Sequence, residues 1–212
     1  MHICSKHNVK AFKLEEDEII DFVFEIIEEG LKPTIKNTQK NQNEKEVKIM
    51  TKILVAYYSL TGNTQFVAEH IASELNADIE EIKPIKGLDP NSGSKYFWGG
   101  MKSTMKSKPK LKDLKFNPLN YDLVIIGTPV WAWNVSPPVR SYCSEFDLKD
   151  RKVALFTSSD GNGIKAMSRY KDFMEESDII GEYRFISPLS KDSDKAKENA
   201  TEWVKELMNK IQ

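Results

Sequence analysis

Apolar runs that alternate with helical patterns constrain the fold of this chain more than any other feature. Runs suited to β-strands lie at residues 52–58, 77–82, 122–127, 152–157 and 179–187. Helical patterns follow the first strand and then occupy residues 135–146, about 163–176 and 192–211. Because strands that alternate with helices form parallel sheets covered on both faces, the sequence predicts an α/β fold with a doubly wound parallel sheet of five strands.

The first fifty residues depart from this pattern. We predict an N-terminal extension over residues 1–50 and a main domain over residues 51–212. Apolar residues recur at helical spacing over about residues 15–29, with acids on the other face, and a polar stretch typical of a flexible linker follows. The helix either docks on the main domain, self-associates or binds a partner. His2, Cys4 and His7 provide only three soft ligands, so we expect no zinc site there.

Charge, cysteine content and hydropathy exclude several classes of protein. A formal net charge of −1 does not suggest a protein that binds nucleic acid. Cys4 and Cys143 lie far apart, which is typical of a reducing compartment rather than of a disulfide scaffold. No apolar run approaches the length of a membrane span, and the N-terminus carries too many charges for a signal peptide. We expect a soluble cytoplasmic protein, and the sequence leaves its oligomeric state open.

The loop after the first strand has the composition of an anion site. It consists of Ser59, Leu60, Thr61, Gly62, Asn63 and Thr64. Its N–H groups and three hydroxyls meet at the positive end of a helix dipole, where a phosphate is stabilised. It has neither the lysine of a triphosphate-binding loop nor the three glycines of a dinucleotide-binding turn. The loop therefore predicts a site for a phosphate monoester; the alternative is an ordinary turn with a Ser/Thr helix cap.

Two further loops follow strands of the predicted sheet. One consists of Thr128, Pro129, Val130, Trp131, Ala132, Trp133 and Asn134. Its two tryptophans suit a planar heteroaromatic ring, although a lid packed on the core is the alternative. The other loop, over residues 157–163, offers small residues and backbone N–H groups to a ligand, and its candidate contacts are Ser158, Ser159, Asp160, Gly161 and Gly163. Ligands of doubly wound sheets bind beyond the carboxyl ends of the strands, where all three loops are expected.

These residues resemble the flavodoxin-like family, in particular single-domain members related to FMN-dependent NAD(P)H oxidoreductases. The resemblance lies in KILVAYYSLTGNT, DLVIIGTPVWAW with PPVRSY, and KVALFTSSDGNG, and it covers residues 52 to about 210. It implies strand order 2-1-3-4-5 and one non-covalently bound flavin mononucleotide (FMN). It places residues 129–134 against one face of the flavin ring and residues 159–163 at the far edge of the ring.

Two departures from the family's electron carriers bear on function. The third loop lacks the tyrosine that long electron-carrier members stack on the flavin, so the second face is either open or covered by Tyr96, Phe97 or Trp98. The acidic surface of the carriers is also missing, because residues 51–212 contain 23 Lys and Arg against 22 Asp and Glu. Seven lysines lie in the segment from Lys95 to Lys115, counting both ends. They form either a solvated surface or a patch that attracts an acidic redox protein or a 2′-phosphorylated nicotinamide nucleotide.

Together these observations predict an FMN-binding redox protein that transfers electrons or hydride between a cytoplasmic donor and a partner. The sequence leaves open whether it is an electron carrier or an NAD(P)H oxidoreductase acting, for instance, on a quinone. No side chain is expected to act as nucleophile or general acid, because the flavin carries the redox chemistry. The alternative is a non-catalytic interaction module that keeps the fold and binds partners through its N-terminal helix.

Overall fold

The computed structural model describes residues 51–86 and 107–211. The strands are β1 (Ile53–Tyr57), β2 (Asp78–Glu81), β3 (Leu123–Trp131), β4 (Asn134–Val135), β5 (Lys152–Ser159) and β6 (Asp178–Ile186). The helices are α1 (Asn63–Leu75), α2 (Pro137–Glu145), α3 (Ile164–Phe173) and α4 (Ser193–Asn209), with a short 3-10 helix at Pro118–Asn120. The predicted helix over residues 15–29, its linker, the three N-terminal soft ligands and the aromatic residues 96–98 lie outside the described residues.

The sheet confirms the doubly wound α/β fold. Its strands run in the order β2-β1-β3-β5-β6, and all four neighbouring pairs are parallel. The five long strands therefore have the neighbours that the order 2-1-3-4-5 implies. The predicted number of strands was wrong by one, because the described part of the sheet also contains β4. This two-residue strand pairs antiparallel with the end of β3 and shifts the numbers of the strands after it.

Two apolar layers enclose the sheet. Every residue of β1 is buried, and alternate side chains point to opposite faces. Ile53, Val55 and Tyr57 pack with α1 and α4, whereas Leu54 and Ala56 pack with α2 and α3. A strand buried on both sides explains the uninterrupted apolar run in the sequence. The carboxyl ends of β1, β3 and β5 consequently open at one edge of the sheet, which is where the three candidate loops begin.

Local signals place the ends of the helices. α1 ends at Leu75 and is capped by Asn76, whose left-handed φ of 47° allows its N–H group to bond the carbonyls of Ala72 and Ser73. Two prolines open α2, because the first turn of a helix needs no N–H donor there. At the start of α4, the Asp192 carboxylate accepts a hydrogen bond from the N–H group of Lys195 at 2.8 Å.

The segment predicted as the second loop is largely strand, and this corrects the sequence analysis. β3 continues through Thr128 and Pro129, which are in register with Thr157 and Ser158 of β5. It then folds back on itself, and Trp131 pairs with Asn134 of β4. The predicted strand ended at residue 127, where the continuous apolar run stops. The ladder with β5 extends it, since pairing and packing decide whether a segment is extended.

Candidate functional site

A cleft of about 720 Å³ opens at the carboxyl edge of the sheet. Its volume lies within the range of small-molecule sites in proteins, roughly 300–1,000 Å³. Three segments line it, one at the carboxyl end of each of β1, β3 and β5. The lining residues are Ser59, Leu60, Thr61, Asn63, Thr64, Pro129, Val130, Trp131, Ala132, Trp133, Ser158, Ser159, Asp160, Gly161, Asn162 and Gly163.

The cleft brings together the three loops that the sequence singled out. Of the predicted contact residues, Gly62, Thr128 and Asn134 do not line it. Asn162 does line it, although it was not among the predicted contacts; its place between Gly161 and Gly163 was the available signal. Shared lining places these residues around one space, and their contact with a cofactor stays a prediction.

The first loop presents an uncapped helix N-terminus to the cleft. Gly62 precedes α1 with a left-handed φ of 89°, and no described side chain caps the helix. The first intrahelical bond joins Phe66 N–H to the Gly62 carbonyl at 2.9 Å. The N–H groups of residues 63–65 thus lack partners within the helix and carry the positive end of its dipole. The alternative interpretation, a Ser/Thr cap, does not describe this turn.

Hydrogen bonds within the same loop and to Leu189 define its shape. The Ser59 hydroxyl accepts from the N–H group of Gly62 at 3.2 Å. The amide of Asn63 donates to the Thr61 hydroxyl at 3.4 Å, while its oxygen accepts from the N–H group of Leu189 at 3.2 Å. Thr61 is exposed, so its hydroxyl proton remains available to an acceptor in the cleft.

A buried hydroxyl pair connects the first loop to the third. The hydroxyls of Thr64 and Ser158 lie 2.5 Å apart, and these residues are 1% and 3% exposed. They are 94 residues apart in the sequence. This hydrogen bond joins the first turn of α1 to the end of β5 beside the cleft.

The aromatic segment is a tight hairpin turn without glycine. Ala132 and Trp133 both have left-handed φ values, 47° and 57°. The side chain of Asn134 donates to the Ala132 carbonyl at 3.0 Å. Arg169 of α3 donates to the Trp133 carbonyl and to the Asn134 side-chain oxygen, each at 3.2 Å. Side chains that do not line the cleft therefore hold Ala132 and Trp133 in a conformation that L-amino acids seldom adopt.

Thr128 supports this hairpin from below. It is fully buried, and its hydroxyl accepts from the N–H group of Ser136 at 3.0 Å. The same hydroxyl lies 2.9 Å from the Ser136 hydroxyl. The sequence placed Thr128 among cofactor contacts, whereas the structure gives it a supporting position beneath the cleft.

The two tryptophans have different environments. Trp131 is partly buried and meets the ring of Tyr58 edge-on, with centroids 5.6 Å apart and an angle of 86°. Trp133 is 65% exposed, and the ammonium group of Lys165 lies 5.8 Å from its ring centroid. The packed-lid alternative thus describes Trp131 in part and does not describe Trp133, whose ring is open to a ligand.

The third loop is held by hydrogen bonds to β6 and to the residue after it. Ser187 donates its N–H group to the Ser159 carbonyl at 2.9 Å and its hydroxyl to Asp160 at 3.1 Å. Arg184 donates to the Asn162 carbonyl at 2.7 Å. Gly163 has a left-handed φ of 64°, and a Cβ there would lie 3.2 Å from the Ser159 hydroxyl. The loop is consequently fixed in shape before any ligand arrives.

Electrostatically, the cleft is close to neutral. Of the described residues that line it, none is Lys or Arg, and Asp160 is the single acid. Burial, with a smaller contribution from Glu81, raises the pKa of Tyr58 to about 12, so its phenol stays protonated beside Trp131. Residues 51–86 and 107–211 contain no group of three His, Cys, Asp or Glu arranged to hold a metal. Within the same residues, no helix has the length and apolar character to cross a membrane.

Comparison with known proteins identifies relatives of this arrangement. A family model described as Flavodoxin matches residues 52–207. The flavodoxin of Maridesulfovibrio salexigens is 21% identical over 173 residues, which span 76% of this chain and 100% of that protein. A flavoprotein from Lactobacillus acidophilus, crystallised in complex with FMN, is 28% identical with a TM-score of 0.56. That alignment covers 68% of this chain and 99% of the other. The family match includes all three loops that line the cleft.

Proposed function

This chain belongs to the flavodoxin family, and from that premise we propose that it binds FMN and transfers electrons or hydride between a cytoplasmic donor and a partner. One observation carries the proposal. A single cleft has an uncapped helix N-terminus with hydroxyls at one side and an exposed tryptophan at another. A phosphate monoester and a planar ring joined in one molecule match those two features.

The residues of the cleft fit FMN at each part of the cofactor. The N–H groups of residues 63–65 and the Thr61 hydroxyl suit the phosphate, which needs donors. Trp133 offers an open aromatic face to the flavin ring, and contact with Tyr58 holds Trp131 at the same cleft. The backbone of residues 159–163 offers polar groups to the edge of the ring. When bound, FMN supplies the capacity to accept and release electrons or hydride.

The neutral lining supports a mononucleotide over other phosphate ligands. A triphosphate carries more negative charge than helix N–H groups alone neutralise well, and its sites ordinarily add a lysine or a metal ion. A dinucleotide pyrophosphate is bound through a turn with three glycines, which the first loop lacks. Among the described residues that line the cleft there is no Lys or Arg. The chain's own contribution is to bind the cofactor, to orient the flavin ring through the fixed hairpin, and to exclude water from the floor of the cleft.

The absorbance spectrum of the full-length protein, purified or reconstituted with FMN, tests this proposal. We expect flavin bands and stoichiometric binding. Addition of NADPH under anaerobic conditions then distinguishes an NAD(P)H oxidoreductase from an electron carrier. Bleaching of the flavin band supports an NAD(P)H oxidoreductase, with a quinone as the candidate acceptor; a band that persists supports an electron carrier. A colourless protein that rejects FMN would refute the proposal and favour the non-catalytic interaction module.

Thr61→Ala provides a matched test of the phosphate assignment. Loss of a charge-assisted hydrogen bond costs about 1.5–3 kcal/mol, which is roughly a 10- to 150-fold rise in the Kd of FMN. Ser144→Ala is the control, since Ser144 is exposed near the end of α2 and away from the cleft. Fluorescence titration measures both variants. Equal affinities would contradict the assignment of the first loop to the phosphate.

A further inference from the structure

Exposed apolar side chains concentrate around the mouth of the cleft. Five large apolar residues of the described chain are exposed, and four of them adjoin cleft-lining residues. Trp133 itself lines the cleft, and Ile164 follows Gly163. Ile186 pairs with Ser159, and Leu189 donates its N–H group to Asn63. Water contact with apolar side chains is unfavourable, and apolar surface gathered in one place marks a site of interaction.

Three cations near these apolar residues form no salt bridge to a carboxylate of residues 51–86 or 107–211. Lys165 lies over the ring of Trp133, Arg169 bonds the Trp133 carbonyl, and Arg184 bonds the Asn162 carbonyl. All three are exposed. The salt bridges found in the described residues use other cations, namely Lys83, Lys152, Lys171 and Lys195. The charges of Lys165, Arg169 and Arg184 are therefore available to solvent or to a partner.

We propose that this rim, formed by Trp133, Ile164, Ile186, Leu189, Lys165, Arg169 and Arg184, docks the acidic face of a redox protein. The proposal rests on the proposed function for the redox nature of the partner and on the rim itself for the partner's size and charge. The apolar residues border all three cleft segments, a spread that suits a protein surface rather than a small ligand. Tryptophan and arginine are the residue types that dominate binding energy at protein interfaces.

The sign of the charge determines which partner fits. Cations around an interface steer an acidic protein toward it and repel a basic one. Asp160, the one acid among the described lining residues, already accepts a hydrogen bond from Ser187. The rim thus has the opposite polarity to the acidic surface expected of electron-carrier members of the family. Its partner should carry acids around its own redox centre.

The test compares two small redox proteins of opposite charge. Full-length protein loaded with FMN is titrated with an acidic [2Fe–2S] ferredoxin and with basic cytochrome c, and binding is followed by calorimetry. We expect the ferredoxin alone to bind. Its Kd should rise at least about tenfold between roughly 0.01 and 0.15 M ionic strength, over which the Debye length falls from about 30 to about 8 Å.

Charge-reversed variants locate the surface. Lys165→Glu and Arg184→Glu should each weaken ferredoxin binding about tenfold, as expected for charges at a rim. Ile164→Ser should weaken it without changing its dependence on salt. Lys149→Glu is the matched control, because Lys149 is exposed and precedes β5 at the opposite edge of the sheet. It should leave the affinity unchanged.

The outcomes separate this proposal from the proposed function. A protein without flavin bands fails the proposed function, whereas one that keeps FMN and prefers cytochrome c, or binds neither protein, overturns the docking surface. Equal effects of Lys149→Glu and Arg184→Glu also overturn it. If Lys165→Glu and Arg184→Glu weaken NADPH binding but not ferredoxin binding, the cations serve a nucleotide, and the protein partner is rejected.

Discussion

The buried hydroxyl pair between Thr64 and Ser158 allows a sharp test of how the cleft is held together. Thr64→Val removes one hydroxyl while keeping the shape of the side chain. Ser158 is then left with a buried hydroxyl that has no other hydrogen-bond partner in the described structure. A buried polar group without a partner costs about 1–3 kcal/mol, whereas removal of both partners of a hydrogen bond is nearly neutral.

These magnitudes give a measurable difference between variants. In a domain of this size each kcal/mol changes the melting temperature by roughly 2–4 °C, so Thr64→Val should melt about 2–12 °C lower than the original protein. The double variant, Thr64→Val with Ser158→Ala, should lose less free energy of unfolding than the two single variants lose in sum. Thr61→Val lies in the same loop on an exposed residue and should change stability by less than about 0.5 kcal/mol.

Urea unfolding of the FMN-free protein, followed by circular dichroism, measures all four variants. Working without cofactor separates the hydroxyl pair from any contact with phosphate. The reasoning would be refuted if Thr64→Val were as stable as Thr61→Val. Strict additivity in the double-mutant cycle would refute it equally, because residues that share a hydrogen bond are expected to show coupling.

Three further predictions concern the glycines and the cysteine. Gly62→Ala should lose about 1–2 kcal/mol in urea unfolding, since its φ of 89° is left-handed, and a result within error of the original protein would contradict the assigned turn. Gly127→Ala forces a methyl group into the ring of Phe156 and should cost about 1–3 kcal/mol, whereas Gly161→Ala, which meets nothing within 4 Å, should change stability by under about 0.5 kcal/mol. Burial raises the pKa of the Cys143 thiol to about 12, so the folded state keeps a proton that the unfolded state loses above about pH 8.5. Stability should therefore fall as pH rises from about 8.5 to 12, by at most about 1.4 kcal/mol per pH unit from this group, and Cys143→Ala should lessen the slope of urea midpoints between pH 8 and 10.

The fold was predictable because its signals are local and agree with one another. Strands buried on both faces produce continuous apolar runs, and the prolines at the start of α2 place that helix within two residues. The convergence of the three loops followed from the parallel sheet alone. Once strands are parallel, their carboxyl ends share an edge, whatever the details of each loop.

The finer geometry depends on partners that are distant in the sequence. Nothing local distinguishes Thr128, which supports the hairpin, from Pro129, which lines the cleft. Ala132 and Trp133 adopt a turn usually made by Asn-Gly, and the stabilising Arg169 lies more than thirty residues away. The bond between Thr64 and Ser158 spans 94 residues. Such contacts are properties of the folded chain, and no periodicity of the sequence reports them.

The absence of Lys and Arg from the described cleft lining has a practical consequence for handling the protein. Helix N–H groups and hydroxyls bind the phosphate at hydrogen-bond distances, so salt screens these contacts far less than it screens exposed charges. The cations of the rim, by contrast, are exposed, so concentrated salt screens most of their attraction to an acidic partner. Washing the protein on a column with rising salt should therefore release a bound protein partner while the colour of the flavin stays on the chain. A single salt gradient would therefore distinguish binding of the protein partner from binding of FMN.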